Sequence, residues 1–451
     1  MFQENMEDFA IKIDGLVYSA VFGSEEEKKQ SRFDIWQLGK ERGVYCAPIT
    51  ELYMARGRGE VPTDFTVPAV NLRGMTYDLA CSIFSVAKSK NIGALIFEIA
   101  RSEMAYTYQA PLEYTTVVMA AALHECWQGP LFMQGDHFQA KAKEMGVPAE
   151  GELDGIKDLI KQAVAGGFYN IDIDMSTLVD LNKESVTDQQ APNIKYSLEL
   201  AKFVRELQPE GVEISLGGEI GHIGGINSTI EDFMAFISGF NAGLPEGMTG
   251  ISKISVATGT SHGGVVLADG SLANVDVDFS ILSSISKVCR ENYQIGGAVQ
   301  HGASTLPDEF FGQFPKSEAI EVHFATGWQN IQMNHPSFPK ELLDKMYAWI
   351  DETKIAERKE GQTDEQFHYE LRKKTWGHFK KECWNIDKNA REEIKKSISQ
   401  RVEFLFGQLN VFNTKDMVAK FVKPIVVEKT LEDFATWVTK VEDDDVIGLS
   451  D

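Results

Sequence analysis

Several features that mark other classes of protein are absent from this sequence. No stretch approaches the run of about 18 apolar residues that a membrane-spanning helix needs. Basic residues are also in deficit, because 44 Lys and Arg face 67 Asp and Glu, which gives a formal net charge of −23. An acidic surface disfavours nucleic acid or an anionic membrane as the main partner.

Cysteine is scarce and dispersed. The five cysteines contain no CxxC pair, which is typical of reduced thiols in the cytosol and not of a disulfide framework. Residues 1–10 carry acids and lack the apolar segment of a signal peptide. We therefore expect a soluble, cytoplasmic protein.

Short apolar runs alternate with segments of helical periodicity over much of the chain. Such alternation predicts βαβ units and a parallel sheet. Seven runs are identified, and an eighth strand is expected in the N-terminal region, at residues 44–49. This count favours an α/β fold of the (β/α)8 TIM-barrel type over an open sheet. The seven runs are residues 94–99, 131–134, 170–173, 212–216, 252–257, 298–300 and 319–324.

The length of 451 residues exceeds the roughly 250 of a typical barrel. We expect the barrel, with an irregular N-terminal segment, in residues 1–339. Residues 56–59 and 62–68 of that segment are predicted to be loop. A helical C-terminal extension is expected in residues 340–451, with helices at 340–359, 365–381 and 390–409.

Three of the nine histidines directly follow predicted strands: His137, His262 and His301. The carboxyl ends of barrel strands converge on the face where active sites are built. A lone histidine is more often a hydrogen-bonded structural residue than a ligand. Three at equivalent strand ends, two of them followed by glycine, favour a catalytic Zn²⁺ with one position open for substrate.

Four motifs carry a resemblance to a known family. They are DH at 136–137, GEIGHIGG at 218–225, GTSHG at 259–263 and HGAS at 301–304. In this order the motifs resemble those of the class II, zinc-dependent fructose-bisphosphate aldolases, over about residues 92–335. Residues 384–413 also resemble the helical C-terminus of longer members of the family.

The resemblance implies an aldehyde-lyase of carbohydrate metabolism, such as glycolysis, and a role for each matching residue. His137, His262 and His301 would ligate zinc, which polarises the ketose carbonyl and stabilises the enediolate. Asp136 would be the acid/base, and Glu219 a carboxylate near the metal. A homodimer or larger homo-oligomer and a monovalent cation near the phosphate loop are also implied. The phosphate would lie against Gly263, Gly302, Ala303, Ser304 and Thr326.

Three departures from the family lie on the substrate side. After the GG of the second motif, Ile226, Asn227 and Ser228 stand where the family usually has acids. The lysine that often follows the HG of the third motif is absent after Gly263, and His323 stands where the family has asparagine at the enediolate. An imidazole there could donate a hydrogen bond, transfer a proton or approach the metal, so His323 is a candidate catalytic residue. We therefore expect an aldolase for a ketose phosphate or a related anionic sugar.

Two other functions stay open. One is a non-catalytic partner subunit of an aldolase complex, which the complete metal motifs disfavour. The other is a different metal-dependent reaction on the same scaffold, since fold does not fix function. No predicted strand ends in lysine, so Schiff-base chemistry is not expected.

Overall fold

A computed structural model describes residues 5–221, 225–259 and 277–435. Eleven strands are present in these residues. They are β1 (Val44–Cys46), β2 (Val67–Asn71), β3 (Ile96–Ala100), β4 (Gly129–Gln139), β5 (Ala142–Glu144), β6 (Val147–Pro148), β7 (Asn170–Asp174), β8 (Ser215–Glu219), β9 (Lys253–Val256), β10 (Ala298–Gln300) and β11 (Glu321–Phe324).

Eight of these strands form a closed parallel barrel in the order β2-β3-β4-β7-β8-β9-β10-β11. The pairing of β11 with β2 and of β4 with β7 completes the ring. The chain is thus a (β/α)8 TIM barrel, as the sequence predicts. Because the strands are parallel, their carboxyl ends all open on one face of the barrel.

Helices cover the barrel and make up the C-terminal region. The α-helices are α1 (Met6–Phe22), α2 (Glu25–Arg42), α3 (Thr50–Gly57), α4 (Thr76–Ser89), α5 (Arg101–Thr107), α6 (Pro111–His124), α7 (Glu152–Ala165), α8 (Val186–Leu207), α9 (Ile230–Gly243), α10 (Phe279–Tyr293), α11 (Gln313–Lys316), α12 (Thr326–Met333), α13 (Lys340–Thr353), α14 (Asp364–Leu371), α15 (Thr375–His378), α16 (Lys380–Trp384), α17 (Lys388–Gln408) and α18 (Lys415–Phe421).

The seven predicted strands are confirmed, but the eighth was expected in the wrong place. Residues 44–46 form β1, which pairs with the first residues of β4 outside the ring. The eighth barrel strand is β2, in a segment whose prolines suggested a loop. Pro68 lies within this strand, in register with Val322 of β11. Its flanking residues are wholly buried and apolar, so burial outweighs the missing amide donor.

The N-terminal segment is helical rather than irregular. Residues 56 and 57 end α3, although their glycine-rich surroundings suggested a loop. Helix α2 begins at a capping box of Ser24 and Glu27 and buries a narrow face that includes Ile35 and Trp36. Its surface is otherwise charged, which is why the apolar periodicity is weak.

The C-terminal region is helical, although the predicted helix at 365–381 is divided into several short ones. The barrel and this region share one hydrophobic core, which includes Val70 and Ile99 from the barrel and Trp376 and Ile398 from the C-terminal helices. The boundary at 339/340 stays a prediction. None of the described helices has the length and apolarity that crossing a membrane requires.

Candidate active site

The end of β4 carries Asp136 and His137 into the mouth of the barrel. The register between β4 and β7 shifts between Gly135 and Phe138, and His137 has a left-handed backbone with φ of 40°. Such a conformation is uncommon for a residue with a side chain. The irregularity interrupts the alternation of side chains between the two faces of β4. The consecutive side chains of Asp136 and His137 therefore both contact His301.

His137 and His301 contact each other directly. Nε2 of His137 lies 3.1 Å from Nδ1 of His301, and both residues are buried. The other nitrogen of each ring has its own partner: Nδ1 of His137 lies 3.1 Å from carboxylate oxygens of Asp174 and Glu219. Nε2 of His301 lies 3.0 Å from Oγ of Ser255. Ligating histidines typically hold their second nitrogen in this way.

This pair of nitrogens suits a shared metal ion. Two nitrogen ligands of a tetrahedral zinc, each about 2.0–2.1 Å from it, are about 3.3 Å apart, close to the spacing seen here. Oδ1 of Asp136 lies 3.9 Å and 4.0 Å from the same two nitrogens. Both Asp136 oxygens are buried and have no hydrogen-bond partner among the described residues, which is costly unless a charge compensates. The described residues therefore fit a divalent cation.

The third predicted ligand, His262, and the phosphate-loop residue Gly263 lie outside the described residues. Strand β9, which precedes them in the chain, is located between β8 and β10 in the barrel. Glu219 ends β8 and contacts His137, so the structure brings it to the site.

His323 at the end of β11 forms the other half of the site. Its ring centroid is 3.9 Å from that of His301. Nδ1 lies 2.9 Å from Oε2 of Glu98 and 3.4 Å from Oδ1 of Asp136. Nε2 lies 2.7 Å from Oε1 of Glu321. Every one of these side chains is wholly buried.

A layer of charged residues lies beneath His323 inside the barrel. Nζ of Lys253 is 2.6 Å from Glu321, 2.9 Å from Asp172 and 2.7 Å from Gln134. The amide of Gln134 in turn donates to Glu98 and Glu321. Lys253 is the first residue of β9, so it lies away from the barrel mouth, at which the strand ends. Its ammonium group is held there by carboxylates.

The buried charges shift one another's proton affinities. Burial disfavours the charged imidazoles, but neighbouring carboxylates outweigh it and raise the pKa of His137 and of His323 well above the ordinary value. Burial, reinforced by nearby acids, raises the pKa of Glu98 and of Glu219 to about 8. The pKa of Asp136 is lowered, because the histidines around it, His137 foremost, outweigh burial. Perturbations of this size cluster at functional sites.

The predicted phosphate-binding residues within the described chain lie together at the barrel mouth. Oγ of Ser304 accepts a hydrogen bond from the amide of Ala325, immediately before Thr326 begins α12. Gly302 has φ of 70° and lies with Ala303 in the buried loop after β10. Nη1 of Arg73, which follows β2, donates to Oγ1 of Thr326.

Basic residues at this place were not predicted. Arg73 is buried and forms an ion pair of 2.8 Å with Glu103. Lys373, from the C-terminal region, is close enough for Arg73 to contribute to its lowered pKa of about 8, of which burial is the main cause. Their signal in the sequence is weak, since one arginine after an unrecognised strand and one lysine in a charged run resemble surface residues.

Comparison with known proteins identifies the class. A sequence profile described as fructose-bisphosphate aldolase class-II matches residues 62–410, so the chain belongs to that family. No curated protein sequence matches it.

Several solved structures are similar to this chain at low sequence identity. A probable tagatose 6 phosphate kinase from Sinorhizobium meliloti 1021 has a TM-score of 0.52 and 13% identity, over 79% of this chain and 98% of that one. Fructose-bisphosphate aldolase from Campylobacter jejuni has 0.49 and 16%, over 82% and 97%. The YdjI aldolase from Escherichia coli K12 has 0.47 and 12%, over 83% and 99%.

Proposed function

We propose that this chain is a zinc-dependent aldolase that cleaves or forms a C–C bond in a ketose phosphate or a related anionic sugar. The observation that carries the proposal is the contact between His137 and His301 beside Asp136, whose carboxylate accepts no hydrogen bond from the described residues. His262 would complete the ligand set. A divalent metal held there supplies Lewis-acid polarisation of the substrate carbonyl and offsets the negative charge left after cleavage.

The side chains around this metal site have distinct proposed tasks. Glu219 and Asp174 hold the ring of His137 by its Nδ1, and Ser255 holds that of His301. Asp136 would take the proton of the substrate hydroxyl in cleavage and return it in condensation. Neither of its carboxylate oxygens has a hydrogen-bond partner among the described residues, so both are available to accept that proton. His323 faces Asp136 and is the second candidate for proton transfer.

The anionic end of the substrate would bind where Ser304, Thr326 and Arg73 meet. Main-chain amides and short hydroxyls form a compact nest for a phosphate, and Arg73 with Lys373 supplies positive charge in place of the absent lysine. We also propose a monovalent cation beside this loop and a homo-oligomer. Cytoplasmic location is proposed from the free cysteines, of which all but Cys126 are buried.

A retro-aldol assay on a panel of ketose phosphates and sulfosugars tests the function. We expect aldehyde release by the wild type from at least one member. The Asp136→Asn variant should lose about 100-fold or more, the scale of removing a catalytic proton-transfer group. His301→Ala, which removes a proposed metal ligand, should lose at least as much. The matched control is His378→Ala, since His378 is an exposed histidine of the C-terminal region.

Inactivity of a zinc-loaded wild type across the panel would contradict the aldolase. A different metal-dependent reaction is the second candidate, because His323 and Glu98 place an imidazole and a carboxylate beside the reacting centre. That reaction would require metal in the protein and show no aldehyde or ketone release. A partner subunit would show neither bound metal nor activity.

A further inference from the structure

Glu98, Asp136 and His323 form a second cluster of potential metal ligands next to the two histidines already described. Each comes from a different barrel strand, since Glu98 is on β3, Asp136 on β4 and His323 on β11. All three are wholly buried, and one ligand atom of each lies within 4.8 Å of the others. We infer that this cluster binds a second divalent metal ion, which shares Asp136 with the first site.

The hydrogen bonding of the cluster is incomplete in a way that fits an ion. Oε1 of Glu98, both oxygens of Asp136 and Nδ1 of His323 have no hydrogen-bond partner among the described residues. Nδ1 of His323 is nevertheless only 2.9 Å from Glu98 and 3.4 Å from Asp136. Ligand atoms at this spacing fit the shell of one metal, where neighbouring ligands are about 3 Å apart.

Charge gives a second reason for the ion. Lys253 is already paired with Asp172 and Glu321. No lysine or arginine in the described part of the chain forms an ion pair with Glu98 or Asp136. Their ion-pair partners are histidines. A divalent ion would compensate both buried carboxylates and allow the histidines to bind it in their neutral form.

A carboxylate on its other nitrogen fixes the orientation of the His323 ring. Its Nε2 contacts Glu321 at 2.7 Å, and Glu321 is in turn held by Lys253 and Gln134. A carboxylate on the far nitrogen of a ligating histidine sets the ring orientation and increases its basicity. Nδ1 is thereby directed at Glu98 and Asp136. One imidazole and two carboxylates suit zinc, manganese or iron(II).

This inference builds on the proposed metal-dependent function and gives Asp136 a double task. Ligation through Oδ1 keeps the carboxyl ionised and leaves Oδ2 for the proposed proton transfer. Two ions sharing one carboxylate are typical of dinuclear sites, in which the metals are about 3.5–4 Å apart. Such a pair would bind a substrate that offers two adjacent oxygens, such as the carbonyl and hydroxyl of a ketose.

Metal counting after loading with zinc alone, and separately with manganese alone, tests the inference. Full-length protein is stripped with chelator, reloaded, freed of excess ion and analysed by mass spectrometry of the metal. We expect two ions per chain in wild type and in His378→Ala. One ion is expected in Glu98→Gln, which keeps the volume of the side chain, and in His323→Asn, which removes the imidazole. His301→Ala should also retain one, and the His301→Ala/His323→Asn double variant should retain none.

The manganese-loaded protein gives an independent reading. Two manganese ions that share Asp136 should show exchange coupling in the electron paramagnetic resonance spectrum, and the coupling should vanish in His323→Asn. Circular dichroism confirms that each variant is folded before its metal is counted.

Failure of this inference and failure of the proposed function give different results. One ion in wild type that persists in His323→Asn and is lost in His301→Ala overturns the second site and leaves the first intact. One ion that persists in His301→Ala and is lost in His323→Asn supports the second site and contradicts the histidine site. A wild type without metal overturns both, and His323 is then an imidazolium paired with Glu98 and Asp136.

Discussion

At the scale of single residues, Lys253 is the cation on which the charged layer of the barrel depends. Its Nζ contacts Asp172, Glu321 and Gln134, and its side chain is 1% exposed. Removing one partner of a buried ion pair typically costs about 3–5 kcal/mol, because the other charge stays buried and unpaired. We expect Lys253→Met to lower the free energy of unfolding by about that amount, measured by urea denaturation.

A double variant distinguishes this charge effect from a loss of packing. Lys253→Met/Glu321→Gln removes a charge of each sign, so it should be less destabilised than the sum of the two single variants. A sum that holds within about 0.5 kcal/mol would show that the two residues do not interact.

Lys373 predicts a pH dependence of stability. Burial, with the help of Arg73, lowers its pKa to about 8, whereas an unfolded lysine has a pKa of about 10.4. Between these values the unfolded state binds more protons than the folded state, so this residue makes stability rise with pH. Relative to Lys373→Met, the wild type should gain unfolding free energy from pH 7.5 to pH 10. A constant difference across that range would refute the lowered pKa.

The sequence predicts the histidines of the site better than its acids. His137 and His301 could be found because each directly follows an apolar run, whereas Glu98, Lys253 and Glu321 lie within such runs. A charged residue inside a short apolar strand gives no indication of its partner, since pairing across the barrel depends on closure. Their partners follow only from the positions of β3, β9 and β11 around the barrel axis.

At the scale of elements, Gly74 fixes how the C-terminal helices approach the barrel. It lies between β2 and α4, and a Cβ built on it would overlap the indole ring of Trp376. Trp376 is 2% exposed and donates to Gln329 of α12. Because a side chain at position 74 would displace this ring, we expect Gly74→Ala to lower the unfolding free energy by about 1–3 kcal/mol, the usual cost of overpacking.

The matched control is Gly15→Ala in α1. A Cβ at Gly15 meets nothing within 4 Å, and alanine is favoured over glycine inside a helix by about 0.8–1.0 kcal/mol. This variant should therefore be as stable as wild type or more so. Thermal denaturation of both variants checks the pair, and equal melting temperatures would refute the close packing at Gly74.

Strand β2 is the element that is hardest to predict from the sequence. Its Pro68 and the nearby Pro62 indicate a loop, and only the unbroken burial of residues 67–71 shows why a strand forms there. The displaced prediction at 44–49 has a physical basis too, because Val44–Cys46 is a real strand that pairs outside the ring. Sequence periodicity identifies strands but does not tell which of them close a barrel.

At the scale of the whole molecule, the barrel places residues far apart in the chain around one small site. Glu98, Asp136, Glu219, His301 and His323 lie on or directly after five of the eight strands. The helical C-terminal region adds Lys373 near Arg73 at the same face. The family and the barrel are evident from the motifs, whereas the charged pairs inside the barrel follow only from the fold.

Anomalous diffraction at the zinc edge, from crystals grown with zinc, shows whether His137 and His301 share a metal ion. We expect an anomalous peak about 2.0–2.1 Å from Nε2 of His137 and from Nδ1 of His301. The peak should be absent from crystals of His301→Ala and present in those of His378→Ala. A shared metal ion would be contradicted if wild-type crystals grown with zinc had no peak there while the two imidazoles stayed in contact at 3.1 Å.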